Sequence, residues 1–192
     1  MDYLLNSIDE NIKIKKKIIS LKKEINLSIK KIYSCLKKKN KILTCGNGGS
    51  AADSQHLAAE YVVRLRPKIN RQAYPIMSLA LDTSHLTACG NDLSFSKIFS
   101  RSLEAFGKRS DILLTISTSG NSKNILEVLK KAKKMKIYSI ALLGNKGGKA
   151  KKLADTSIIV PSNNTARIQE CHIFIGHYIL EQVENKLLKI KK

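Results

Sequence analysis

Apolar residues recur along this chain in two kinds of pattern. In residues 2–39 they return every three or four positions, as at Leu4, Ile8 and Ile12, which predicts one or two amphipathic helices. From residue 41 onward, short apolar runs of strand length alternate with helical segments of ten residues or more. That alternation is typical of a parallel sheet covered by helices on both faces, so we predict an α/β fold.

Five apolar runs are predicted strands, at residues 42–45, 75–81, 111–116, 137–143 and 156–160. The first predicted helix of this part begins at Ser50. The next are a short helix at 85–89, ended by residues 90–92, and helices at 96–106 and 123–135. A short helix that ends at Ala154 and a last helix from 166 to about 188 complete the series. The expected architecture is a three-layer α-β-α sandwich, flavodoxin-like, with a five-stranded parallel sheet. We divide it into N-terminal helices at 1–40 and a core at 41–192, in one structural unit.

The turn after the first predicted strand is rich in glycine, with Gly46, Asn47, Gly48 and Gly49 in succession. Ser50, a good N-cap residue, then starts an Ala-rich helical segment. Glycines let backbone N–H groups approach a ligand, and a helix N-terminus adds unpaired donors and a positive dipole. This strand, turn and helix therefore predict an anion site.

The strongly basic composition raises the question of a nucleic-acid partner, since the net charge is +20. The excess is nearly all Lys, in stretches such as 13–17, 37–39 and 130–136 that alternate with Ile and Leu at helical spacing. Such stretches are typical of solvated outer faces. With only 6 Tyr and 4 Phe, no aromatic-basic cluster is available to stack bases. We expect no nucleic-acid partner.

The distribution of apolar residues and cysteines bears on location. No run approaches the ~20 apolar residues of a membrane span, and the first residues lack a basic-then-apolar secretion signal. We expect a cytoplasmic protein without membrane contact. Its four cysteines are widely spaced and are expected to be reduced, mostly buried thiols: Cys35, Cys45, Cys89 and Cys171.

A second loop, Ser-Thr-Ser-Gly-Asn-Ser at 117–122, follows the third predicted strand. One interpretation is a helix cap, in which Ser119 or Ser122 caps the helix that starts at residue 123. The other is a phosphate site. Because both loops end strands, two helix N-termini could converge on one phosphate monoester, held by hydroxyls and N–H groups without a fixed cation.

A nucleotide site is a weaker alternative. Residues 46–51 match the dinucleotide pattern G-x-G-x-x-A, which alone is weak, and the acidic residue that this pattern needs has only Asp82 as a candidate, too far along the chain. Gly148, Lys149 and Ala150 resemble the end of a P-loop, but Leu143 stands at the position of its first glycine and Ala150 at the position of its Ser or Thr.

Candidate acid/base and metal-binding groups lie on two predicted helices. His56 and Glu60 share a helical face, and such a pair is most often a surface hydrogen bond. Gln169 and His177 lie on the apolar last helix, where polar groups need partners. Their spacing of about 80° around the helix and roughly 12 Å along it is loose for one site. His172 is the rival candidate, and a buried core histidine is the role that we expect for it.

Five motifs occur together and in the order found in bacterial phosphoheptose (sedoheptulose 7-phosphate) isomerases of the sugar-isomerase (SIS) domain class. They are Gly46-Asn47-Gly48-Gly49-Ser50-Ala51, His56-x3-Glu60-x3-Arg64, Gly90-Asn91-Asp92, Ser117-Thr118-Ser119-Gly120-Asn121-Ser122 and Arg167-Ile168-Gln169-Glu170-x6-His177. The chain resembles this family over almost its whole length. The glycine and serine loops are shared by many SIS domains, whereas the His/Glu and Gln/His pairs are more specific.

The resemblance implies a role for each matching residue. The sugar-phosphate site would be lined by Asn47, Gly48, Gly49, Ser50, Arg64, Asn91, Asp92, Ser117, Thr118, Ser119, Ser122 and Gln169. A zinc ion, one per subunit, would be surrounded by His56, Glu60, Gln169 and His177. The family is tetrameric with sites at subunit contacts, so the resemblance also implies a homotetramer and a burial partner for the N-terminal helices.

The implied activity is the aldose–ketose isomerisation of sedoheptulose 7-phosphate to D-glycero-D-manno-heptose 7-phosphate, with Glu60 and His177 as catalytic residues. This would be the first step towards nucleotide-activated heptose for lipopolysaccharide or another glycan. The alternative is a non-catalytic SIS protein that binds a replication initiator or senses a sugar phosphate. The initiator-binding relatives resemble the isomerases but lack the acid at the position of Glu60, so the sequence favours the enzyme.

Overall fold

A computed structural model describes residues 2–190 and contains seven α-helices and five strands in that range. The elements are α1 (Tyr3–Lys17), α2 (Lys22–Lys37), β1 (Ile42–Gly46), α3 (Gly49–Val62), β2 (Ile76–Ser78), α4 (Thr83–Asp92), α5 (Ile98–Phe106), β3 (Ile112–Ser117), α6 (Lys123–Met135), β4 (Tyr138–Leu143), β5 (Thr156–Ile159) and α7 (Thr165–Leu187). Short 3-10 turns follow α1, precede α5 and precede β5. The outer limits of the two predicted segments, residues 1 and 192, lie outside the described residues, and the division at residue 40 stays a prediction.

All five strands are parallel, in the order β2-β1-β3-β4-β5. The chain leaves β1 towards one edge of the sheet and returns on its other side as β3, which creates the switch point at which ligands bind in open α/β sheets. The predicted three-layer sandwich is confirmed.

Two apolar clusters, one on each face of the sheet, form the core. Alternate strand residues separate between them: Ile42 joins the cluster with α2, α3 and α7, and Leu43 joins the cluster with α4, α5 and α6. Because a strand points successive side chains to opposite faces, an unbroken apolar run such as 42–45 predicts a strand covered on both sides. The four cysteines are buried and free, as expected.

Most predicted boundaries differ from the structure by one or two residues, and three differences concern specific sequence signals. β2 has only three residues because the chain turns after Ser78, where the Ser78 hydroxyl accepts a hydrogen bond from the Ala80 N–H. α4 continues through Gly90 to Asp92, so residues 90–92 do not break it. α3 begins one residue before Ser50, and its N-cap is Gly48. Ser50 is buried in the first turn and does not cap the helix.

The first helix attaches to the body through its polar side. Asn11 donates to Glu170, Arg167 pairs with Glu170, and an Arg167 Nη1 donates to the carbonyl of Ser7 at 3.2 Å. Of the α1 residues, only Ile14 is buried, whereas five large apolar side chains are exposed: Tyr3, Leu4, Leu5, Ile8 and Ile12. Arg167 and Glu170 of the last motif therefore dock α1 onto α7.

A buried ion cluster ties the segment after α3 to the end of α7. The Glu184 carboxylate, fully buried, accepts from Arg71 Nε at 2.7 Å and from Arg66 Nε at 2.6 Å. Arg71 is itself buried, and its Nη2 donates to the backbone carbonyl of Glu60 at 2.9 Å. The cluster thus fixes the last turn of the helix that carries Glu60.

None of the helices in residues 2–190 is long and apolar enough to cross a membrane.

We expect Glu184→Gln to destabilise the protein by ~3–5 kcal/mol, because it leaves the buried Arg71 without a counter-charge. Glu181→Gln is the matched control: its partly exposed carboxylate lies 3.9 Å from Arg66 Nη1, and its loss should cost less than about 1 kcal/mol. Denaturant unfolding of both variants measures the difference. Equal losses of stability would contradict a structural role for the buried pair.

Candidate active site

The glycine loop (residues 46–49) and the serine loop (residues 117–122) leave neighbouring strands at the same edge of the sheet. β1 and β3 are parallel and paired up to Gly46 opposite Ile116, immediately before both loops. The helices that follow, α3 and α6, therefore start side by side. Their N-terminal N–H groups and dipoles favour an anion between the loops.

The glycine loop is a tight turn that exposes main-chain donors. Gly48 has φ +54°, a conformation that favours glycine. The Ser50 N–H donates to the Asn47 carbonyl at 3.0 Å, and the Ala51 N–H donates to the Gly48 carbonyl at 2.9 Å. Within residues 2–190, no hydrogen bond engages the N–H groups of Gly48 and Gly49, so both can donate to a ligand.

The serine loop is organised by its own hydroxyls. Ser117 Oγ accepts from the Gly120 N–H at 3.1 Å, and Ser119 Oγ accepts from the Asn121 N–H at 3.2 Å. Ser122 occupies the N-cap position of α6, but its side chain makes no capping hydrogen bond. The helix-cap interpretation therefore does not account for these hydroxyls. Thr118 is half-buried beside them.

A side chain that the sequence analysis missed joins the two loops. Asn124, in the first turn of α6, exchanges two hydrogen bonds with Asn47. Sequence spacing gave no signal for it, because the two asparagines are 77 positions apart. One N–H and the oxygen of the Asn47 amide are therefore engaged by Asn124, and the predicted contact of Asn47 with substrate stays a prediction.

The His56, Glu60 and His177 side chains converge where α3 meets α7. His56 Nε2 lies 2.8 Å from His177 Nε2 and 3.3 Å from Glu60 Oε1. One ligand atom of each residue lies within 4.8 Å of the other two, so this group could hold a metal ion. The pairing of His56 with Glu60 is thus more than a surface hydrogen bond.

The electrostatic surroundings of His177 favour its neutral form. Burial lowers the pKa of His177, the neighbouring His56 lowers it further, and Glu60 acts in the opposite direction. Two facing Nε2 atoms can share only one proton, which also disfavours charging both rings. A neutral imidazole can either accept or donate a proton.

Close packing of α3 and α7 brings these groups together. Gly176 has no side chain, and a Cβ there would lie 2.7 Å from Leu57 of α3. Five residues after His56, the Tyr61 hydroxyl donates to the Leu180 carbonyl at 2.6 Å. Because successive contacts advance along both helices, α3 and α7 run in the same direction.

Gln169 faces the start of α3. An ideal Cβ on Gly49 would lie 2.7 Å from Gln169 Nε2, so the amide rests against the glycine loop. The shared α3–α7 contact therefore places Gln169 at the loop end and His177 at the His56 end. Gln169 and His177 thus contact different parts of α3, in keeping with their separation of roughly 12 Å along α7.

His172 lies in the core, as expected, but only one of its two ring nitrogens has a hydrogen-bond partner within residues 2–190. It is fully buried, and its Nε2 lies 3.0 Å from the Leu143 carbonyl, to which it donates. Burial lowers the pKa of His172 to about 4, so it is neutral at neutral pH.

Asp53 is a further polar group on α3 that the sequence analysis did not single out. It lies one turn before His56 and one turn after Gly49, and burial raises the pKa of its carboxyl. Its Oδ2 is buried without a hydrogen-bond partner in the described part of the chain.

Three predicted substrate residues are not joined to this cluster. Asn91 and Asp92 end α4, are exposed and hydrogen-bond to each other at 2.8 Å. Arg64 follows α3, is exposed, and takes part in no hydrogen bond or ion pair among residues 2–190. Their predicted contacts with substrate stay predictions.

Comparison with known proteins agrees with this geometry. A family model described as SIS domain matches residues 8–144. The chain belongs to the SIS-domain family. Two similar relatives are phosphoheptose isomerases: that of Clostridium acetobutylicum is 45% identical over 97% of this chain and 95% of its own length, and that of Chlorobaculum parvum is 53% identical over 77% and 71%.

Solved structures of SIS-domain proteins place this chain in the same group. A phosphoheptose isomerase from Neisseria gonorrhoeae superposes with a TM-score of 0.89 at 38% identity, over 95% of this chain and 97% of the other. One from Francisella tularensis gives 0.90 at 33% identity, over 95% and 96%. The resemblance drawn from the motifs is confirmed.

We expect Gly49→Ala to displace the Gln169 amide in this SIS domain while changing the stability by less than about 1 kcal/mol, since the crowded atoms belong to the flexible end of a side chain. The side-chain amide signals of Gln169 in ¹⁵N NMR spectra should shift. Gly90→Ala is the control, because a Cβ there meets nothing within 4 Å. Unchanged Gln169 signals in Gly49→Ala would contradict the contact.

Proposed function

We propose that this protein interconverts sedoheptulose 7-phosphate and D-glycero-D-manno-heptose 7-phosphate. The observation that carries the proposal is the meeting of His56, Glu60 and His177 beside two loops that suit a phosphate. The similarity to phosphoheptose isomerases supports the same substrate. A site of this kind holds a sugar by its phosphate end and presents its carbonyl end to acid/base groups.

The phosphate would be bound by N–H groups and hydroxyls. Gly48 and Gly49 offer main-chain donors, Ser50 lies beside them, and the second loop supplies its hydroxyls from Ser117, Thr118, Ser119 and Ser122. Neither loop contains a Lys or Arg. Neutral donors suit a group that serves as a handle and leaves unchanged, in contrast to a phosphoryl group that is being transferred.

At the other end of the sugar, Glu60 is the base. It removes a proton from C1 of the ketose, and an enediol forms between C1 and C2. Glu60 then returns the proton to C2, which leaves the aldehyde at C1. His177 gives a proton to the C2 oxygen and takes one from the C1 hydroxyl, a task for which a neutral imidazole is suited. The proton count is the same before and after.

The residues present fit a zinc ion. Two imidazole nitrogens and a carboxylate oxygen converge within 4.8 Å, and these are ligand types that zinc accepts. His56, Glu60 and His177 would hold the ion, with Gln169 as the fourth ligand that the family resemblance implies. Each residue offers one ligand atom, so the second carboxylate oxygen of Glu60 and the other ring nitrogen of His177 would remain for proton transfer. When bound, zinc would polarise the carbonyl and stabilise negative charge on the enediol oxygen.

The remaining expectations concern the assembly. The exposed apolar side of α1, which includes Tyr3 at 82% and Leu4 at 71% exposure, would be covered in a homotetramer. In that assembly, Asn91 and Asp92 would contact sugar hydroxyls and Arg64 would support the pocket.

The product would enter the synthesis of nucleotide-activated heptose in the cytoplasm. A non-catalytic role is not favoured, because the acid/base set is complete.

Glu60→Gln should abolish most turnover and retain sugar-phosphate binding, because the phosphate loops are unchanged. Loss of a general base lowers kcat by ~100–10,000-fold. Formation of the heptose phosphate is followed by chromatography, and binding by calorimetry. Glu127→Gln on α6, a half-buried carboxylate paired with Lys97 and Lys130, is the control and should keep the normal rate. A near-normal rate in Glu60→Gln would show that another group is the base.

Removal of metal should abolish activity, and zinc should restore it. Mass spectrometry of the purified protein should find about one zinc ion per chain, and His56→Ala should lose it. His85→Ala is the matched histidine control, since His85 hydrogen-bonds to Ser102 away from this cluster. Equal metal content in His56→Ala and the wild type would exclude His56 as a ligand.

A further inference from the structure

The hydrogen-bonded pair of Asn47 and Asn124 connects the two loops by side chains. Asn47 Nδ2 donates to Asn124 Oδ1 at 3.0 Å, and Asn124 Nδ2 donates to Asn47 Oδ1 at 2.7 Å. We call this the amide pair. Asn124 is 2% exposed and Asn47 is half-buried, so the Asn124 side of the pair lies beneath the surface that the loops present to a ligand.

The chemistry of the amide pair depends on asparagine at both positions. Each primary amide contributes one donor and one acceptor, and the two sets face each other. The orientation of Asn124 is fixed by a further bond, since its Oδ1 also accepts from the Ile125 N–H at 2.9 Å. An aspartate in its place would keep the shape but would set a carboxylate oxygen against the Asn47 oxygen.

The amide pair lies just beyond the end of the sheet, between the glycine loop and the serine loop. The hydrogen-bonded ladder between β1 and β3 ends with Gly46 opposite Ile116. Asn47 comes directly after that ladder, and Asn124 lies in the first turn of the helix beyond the serine loop. The pair is therefore a link between the two loops at a point where the sheet no longer connects them.

We infer that Asn124 is a positioning residue for phosphate binding: through the amide pair it holds the glycine loop and the serine loop at the separation at which both contact one phosphate. It acts through Asn47 and the α6 N-terminus and does not touch the ligand. The inference rests on the proposed function in taking a sugar phosphate as the ligand. Donors on two loops bind one phosphate well only if their spacing is fixed, because a misplacement of about 1 Å can cost ~100-fold.

The test compares Asn124→Ala, Asn47→Ala, the double alanine variant and Asn124→Asp. Calorimetry measures the dissociation constants of inorganic phosphate and of sedoheptulose 7-phosphate, and steady-state kinetics measures kcat and KM. Each single variant should raise both dissociation constants and KM by about tenfold or more, with kcat at saturation largely retained. The dissociation constants of the double variant should not exceed those of the single variant that binds less tightly, because residues in one hydrogen-bonded unit are coupled.

The control is Asn185→Ala, which removes another buried asparagine near the end of α7. It should change thermal stability without changing phosphate affinity. If Asn124→Ala does not fold, Asn124→Asp and Asn47→Ala carry the same comparison.

Affinities unchanged in the Asn124 variants, or effects of the two alanine substitutions that simply add, would overturn the inference and leave the proposed function intact. Wild-type protein that binds phosphate without converting the sugar would contradict the proposed function instead. In that case the binding measurements still decide the role of Asn124, because they do not require turnover. Wild-type protein that binds neither phosphate compound would overturn both.

Discussion

The adjacency of β1 and β3 is the constraint on which the rest of the site depends. Because the two strands are parallel neighbours, the helices that follow them must begin at the same edge of the sheet. Two helix N-termini then direct their positive ends at one point. The location of the candidate anion site is thus a consequence of topology. The high lysine content contributes no side chain to either loop.

A second helix pair adds the chemistry. α3 begins at the glycine loop and carries His56 and Glu60, and α7 lies against it through the absent side chain of Gly176. The buried Glu184 cluster fixes the end of α3 from the far side. One helix therefore contributes to both ends of the candidate site: its first turn lies at the glycine loop, and its last turn carries Glu60, the base in the proposed reaction.

Much of this arrangement was predictable from the sequence, and the exceptions have physical reasons. Continuous apolar runs predicted the strands, because a strand covered by helices on both faces is apolar at successive positions. The second strand was predicted too long, since its later residues are apolar but lie in a turn held by Ser78. The contacts of Gln169 with the glycine loop and of His177 with His56 depend on the packing of α7 against α3, which spacing on one helix does not reveal. Asn124 could not be identified because its partner is remote in the chain, and the contacts of Arg64 stay predictions.

The most direct test of the account is a crystal structure of the Glu60→Gln variant with sedoheptulose 7-phosphate. The account predicts the phosphate between the glycine and serine loops, bonded to the main chain at Gly48 and to serine hydroxyls. It also predicts C1 and C2 of the sugar beside residue 60 and His177. A phosphate bound elsewhere, or a carbonyl end directed away from residue 60, would contradict it.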